Sequence, residues 1–132
     1  THNVTLFPYT TLFRSPPVTK VAAFEQALVA GAGSIDLTAL TGTNGAVVDG
    51  TGLKVQAIKF QAKATNENPI TVAVGAANGY ELAGANFEAI LQPGQELVMY
   101  GNDATPDIAA AAKVLDLTGT GTEALIVVVV MG

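Results

Sequence analysis

Apolar residues fall at every second position in one short segment of this chain after another, and each segment ends in a cluster of Gly, Pro or Asn. A strand turns successive side chains to opposite faces, so a period of two writes one buried and one wetted face. Ile35, Leu37 and Ala39 form one such set. Ile70, Val72 and Val74 form another, and Phe87, Ala89 and Leu91 a third. Glu96 to Tyr100 and Val114 to Leu117 read as further strands. Gln92-Pro93-Gly94-Gln95 fits a type II turn, with Pro at the second position and Gly at the third. Asn78-Gly79 is a strong hairpin signal, with Tyr80-Glu81-Leu82 beginning the return strand.

Four segments depart from plain alternation. Val18 to Leu28 has helical spacing at Val21, Phe24 and Leu28, but in this β context it reads as a strand. Thr41 to Gly52 is dense in turn formers and reads as the longest loop. From Leu53 to Lys63 the apolar phase slips by one residue at Ala57-Ile58, which predicts a β-bulge or a strand that changes sheets. Ala124 to Met131 is apolar throughout, which predicts a strand buried on both faces, central in a sheet or sealed by a partner. Thr105-Pro106-Asp107 looks like a helix start, and Ala109 to Ala112 like one helical turn. The predicted fold is all-β: one domain, a two-sheet β-sandwich or jelly roll of about eight strands over residues 16–132.

Residues 1–15 read differently. Thr5 to Ser15 resembles the translation of a DNA sequencing adapter, so residues 1–15 are expected to be non-native and stand outside the domain. His2 is the only His and Arg14 the only Arg, so the domain proper has neither. Without Arg14, five basic residues face eleven acidic ones, a formal −6. The true N-terminus, and any signal peptide, are then unread.

The remaining residue types limit the chemistry. There is no Cys, and Ser34 is the only Ser after residue 15, so triads and His or thiolate metal sites lack their parts. No Gly-rich loop leads into Lys-Ser/Thr to cradle a phosphate. No basic cluster exists to meet a nucleic acid, and no apolar run reaches the length of a membrane helix. Asp49, Asp103 and Asp107 are the loop acids available for carboxylate chemistry, and they read as solvated. Asn102, Asp103 and Asp107 are the calcium candidates, since hard oxygen ligands suit that ion. Tyr80 and Tyr100, at strand ends, are the candidates for an interface or ligand rim. Lys54, Lys59 and Lys63 read as a polar strand face that discourages edge pairing. Ile35-Asp36-Leu37-Thr38 is echoed in Leu115-Asp116-Leu117-Thr118, and each Asp is expected to face solvent or cap a backbone N–H.

Leu53 to Phe60, Gly79-Tyr80-Glu81-Leu82, Leu91 to Glu96 and the closing apolar strand together resemble small bacteriophage virion proteins of the decoration, head- or tail-associated kind. That resemblance implies a β-sandwich without catalytic residues or cofactors, located in a virion, acting by self-assembly or by packing on a capsid or tail. Its partners would be further copies or other virion proteins. Charge at only 13% of residues, against about 25% in soluble domains, agrees with a surface covered by neighbours. The alternative is an extracellular carbohydrate- or ligand-binding module with Tyr80, Tyr100 and the 102–107 loop at its rim.

Overall fold

The computed structural model describes residues 17–132; the adapter-like segment and Pro16 lie outside the described residues. Ten strands follow one another, with no helix among the described residues. They are β1 (Lys20–Ala27), β2 (Ala32–Asp36), β3 (Leu40–Thr41), β4 (Val47–Val48) and β5 (Val55–Ala62), followed by β6 (Ile70–Val74), β7 (Glu88–Leu91), β8 (Glu96–Tyr100), β9 (Val114–Thr118) and β10 (Ala124–Met131). A first sheet runs β1-β10-β5-β8, a second β2-β9-β6-β7, and β3-β4 form a separate ribbon. All pairings between these strands are antiparallel.

Counted without the ribbon, the eight long strands lie in the orders 1-8-3-6 and 2-7-4-5, and only β6 to β7 connects within a sheet. This is a jelly roll, one of the two predicted alternatives. The ribbon accounts for the two strands beyond eight. It runs from Leu40 to Val48, so all but its first residue falls in what reads as the longest loop, 41–52.

The core lies between the sheets. Leu125, Val127, Val129 and Met131 of β10, with Ile58, Phe60 and Ala62 of β5, meet Leu115, Leu117, Ile70, Val72 and Leu91 of the other sheet, all at 2% exposure or less. Each large side chain buried this way contributes about 1.5–3 kcal/mol against exposure. The phase slip is a bulge: Val130 pairs with Ala57 but Met131 with Val55, leaving Gln56 as the extra residue. It comes one residue earlier than the apolar pattern suggests, so Ala57 sits on the outer face.

Other expectations need correction. Ala39 is exposed and Leu40 buried in its place, because β2 ends at Asp36, whose carboxylate accepts from the Thr38 amide and hydroxyl and turns the chain. Asn78 is left-handed (φ 53°) but closes no hairpin. Its carbonyl takes the amides of Lys113 and Val114, Gly79 bridges Val114 in parallel, and β6 pairs with β7 instead. Residues 105–112 form no helix. Ile108 exchanges backbone bonds with Leu53 and Gly52, while Ala109 and Ala112 bond to each other across a tight turn. The type II turn forms as predicted, with Gly94 at φ 83° and the Gln95 amide on the Gln92 carbonyl. Asp36 and Asp116 each accept backbone amides, the latter from Ala76.

Candidate functional site

The sequence candidates distribute over two places. The first is where the 102–108 segment is stitched to the start of β5. Thr105 is buried and its hydroxyl donates to the Val55 carbonyl at 2.8 Å. The Tyr80 hydroxyl donates to the Pro106 carbonyl (2.8 Å) and accepts the Val55 amide (3.3 Å). Lys54 donates to the Thr105 carbonyl and pairs with Asp107 at 3.0 Å.

These bonds correct the reading of Tyr80. It is fully buried, with both hydroxyl functions spent on backbone, so it stands at no rim beside Tyr100. Burial pushes its phenol above the ordinary value, ahead of the hydrogen bonds that oppose the shift. Tyr80 has a tyrosine where the apolar pattern would accept any core residue, because two polar backbone groups inside the fold need a partner.

The calcium candidates do not assemble. Asp107 is turned to the Lys54 ammonium, whose pKa it raises, so a side-chain cation already occupies the place an ion would take. Asn102 forms a left-handed turn (φ 49°), Asp103 is exposed, and among the described residues no group of three or more His, Cys, Asp or Glu could hold a metal ion.

The second place is the outer face of the first sheet. Tyr100 stands there at 78% exposure, in register with Ala57, Val130 and Val21. The next row across the strands is Val98, Lys59, Val128 and Ala23. The third is Glu96, Gln61, Ile126 and Glu25. β10 is therefore central, as its apolar run predicts, but not buried on both faces. Leu125, Val127, Val129 and Met131 point inward, while Ile126, Val128 and Val130 are only half-buried on the outside.

The charges of this face are paired within it. Lys59 meets Glu96 at 2.6 Å, and Lys63 reaches across β10 to Glu25 at 2.9 Å. Lys59 belongs to a central strand and Lys63 follows that strand directly, so guarding a sheet edge is not their role.

Two open depressions of about 420 Å3 each flank the sandwich. One runs along Thr19, Val21, Val47 and Asp49; Asp49 is held below its ordinary pKa first by the Thr51 hydroxyl and then by the Thr51 amide. The other includes Glu123, whose Oε1 gathers the amides of Glu67 and Asn68 and fixes the 65–69 turn. Nothing near Glu123 in the sequence marks it as a clamp, because its partners lie more than fifty residues away. Neither depression has the apolar walls usual in small-molecule sites.

No family model matches the chain, and no curated protein matches it. Among solved structures it is similar to a chain from "Bacillus endospore appendages form a novel family of disulfide-linked pili", at 13% identity and a TM-score of 0.49, covering 86% of each chain. It is also similar to a chain of the giant freshwater prawn Macrobrachium rosenbergii extra small virus VLP, at 11% identity and a TM-score of 0.39, covering 87% of this chain and 80% of that one.

Proposed function

We propose that this jelly roll is a non-catalytic structural subunit of a phage or virus particle, acting by self-assembly or by packing on a capsid or tail. The observation that carries the reading is the outer face of the first sheet. It is apolar over two of its three rows apart from ion-paired Lys59, its charges are matched, and it stands exposed on a domain whose lysines and most of whose acids are held in turns and ion pairs. Side chains committed in this way position backbone rather than move protons. A surface that offers packing without polar direction suits repeated contact between subunits.

Light scattering over a concentration series, with electron microscopy of the concentrated protein, tests self-assembly. Co-expression with the proteins encoded beside it on its source DNA tests packing on a particle. Growth of mass with concentration, or co-purification in ordered particles, is expected. A strict monomer that joins no such particle would overturn the proposal.

A further inference from the structure

We infer that the outer face of the β1-β10-β5-β8 sheet is a self-contact, on which a second copy of this chain packs face to face about a twofold axis. The inference rests on the structural-subunit reading and names the surface that reading leaves open.

Three features favour a second copy as the occupant. The first is charge. Residues 17–132 hold five lysines and eleven carboxylates, so two copies repel over most of their surfaces. On this face two lysines are matched by two glutamates through Lys59–Glu96 and Lys63–Glu25, which makes it neutral. Like-charged copies can approach there without a penalty.

The second feature is layout. Val21, Val98 and Tyr100 are 48%, 50% and 78% exposed, and with Val128 and Val130 they line two of the three rows of the face. Lys59 lies among them, between Val98 and Val128, with its ammonium turned to Glu96 in the third row, where the Lys63–Glu25 pair also lies. A twofold axis near Val128 sets valines against valines and leaves Glu96 and the Lys63–Glu25 pair towards the periphery, an arrangement that suits an isologous contact.

The third is area. Three strands of eight residues and one of five, about 4.8 Å apart and rising about 3.3 Å per residue, make a face of about 460 Å2. Two such faces come to about 900 Å2, just under the roughly 1,000 Å2 of a specific contact, so the contact is a weak one unless surface beside the sheet joins it. Exposed Val18, just before β1, and exposed Val47, beside Val21, supply such surface.

The test compares two charge-matched double variants by analytical ultracentrifugation of the whole chain. Val98→Glu with Tyr100→Glu alters the first sheet's face. Thr71→Glu with Ile90→Glu places the same two charges on the outer face of the second sheet, where Thr71 and Ile90 are cross-strand neighbours. Circular dichroism melts confirm that both pairs fold; Val98, Tyr100 and Ile90 are at least half exposed, so their replacement leaves the core intact. The first pair should weaken self-association by about a hundredfold or more, and the second by less than about threefold, since burying unpaired like charges costs several kcal/mol. Equal weakening by both pairs, or none by the first, would overturn the face while the wild type's own association upholds the structural-subunit reading. A wild type that stays monomeric to about 1 mM would overturn the self-contact. The structural reading would then stand or fall on the co-expression experiment alone.

Discussion

The two sheets share one interior but present opposite exteriors. Outside the second sheet, Ser34, Asp116, Ala73 and Glu88 lie in one row, and Ala32, Thr118, Thr71 and Ile90 in the next. Hydroxyls and carboxylates dominate, as on an antiparallel sheet facing water. Outside the first sheet the same positions carry Val21, Val128, Val130, Val98 and Tyr100, and the charges cancel in pairs. Both sheets need an apolar inner face to fold. Only the first has an apolar outer one, which folding alone does not require. The difference separates residues that make the sandwich from residues that make its contacts.

That separation is tested hardest at the interior. Phe60 is fully buried on β5, one position from outward-facing Lys59. Phe60→Ala should cost about 3–5 kcal/mol in denaturant unfolding, and Lys59→Ala under about 1 kcal/mol. Comparable costs would mean that the inward and outward registers of β5 are wrongly assigned. Next in size is Tyr80→Phe. It leaves the Val55 amide and the Pro106 carbonyl short of a partner inside the fold, at about 1–3 kcal/mol. A neutral result would restore Tyr80 as a surface residue.

Asp36, at the end of β2, contributes to the acid limb of stability. Burial raises the Asp36 pKa, but hydrogen bonds from the Thr38 hydroxyl and amide and from Lys113 outweigh it, and the folded value lies below 3.8. A depressed folded pKa gives stability that is present above the unfolded value and lost as pH falls through the folded one. Asp36→Asn should therefore flatten the decline of melting temperature below about pH 4 and leave its decline at alkaline pH unchanged. A decline as steep as the wild type's would assign the acid limb to other carboxylates.

How much of this was legible in the sequence follows from the distances involved. Alternation and turn chemistry are local, so the β class, the Gly94 turn and the bulge in β5 can be read from neighbouring residues. The fate of Tyr80 is not local: its partners are Val55 and Pro106, about twenty-five residues away on either side. Asn78-Gly79 turns the chain locally, but it bonds to the start of β9, and the strand that returns along β6 begins only at Glu88. Thr105-Pro106 has the local chemistry of a helix start, yet the Thr105 hydroxyl is claimed by Val55. The unbroken run of β10 hides its outer face, since Val128 and Val129 are the same residue type with opposite surroundings. Only the register with Lys59 and Val98 tells them apart.

The smallest effect on stability bears most directly on why the outer faces differ. Glu96 is about half exposed and pairs with Lys59 at 2.6 Å. Exposed pairs of this kind are worth about 0–1 kcal/mol, so Glu96→Gln should barely move the denaturation midpoint. Glu88→Gln, on the other exterior, should match it there. The two should part in self-association. Glu96→Gln frees one lysine charge on each copy of a face that must meet itself, so association weakens and recovers in high salt as the repulsion is screened. Glu88→Gln lowers the overall negative charge without touching the contact, so association holds or tightens slightly. Equal responses at all salt concentrations would show that the ion pairs merely decorate the first sheet; divergent, salt-sensitive responses would show that they neutralise it for contact.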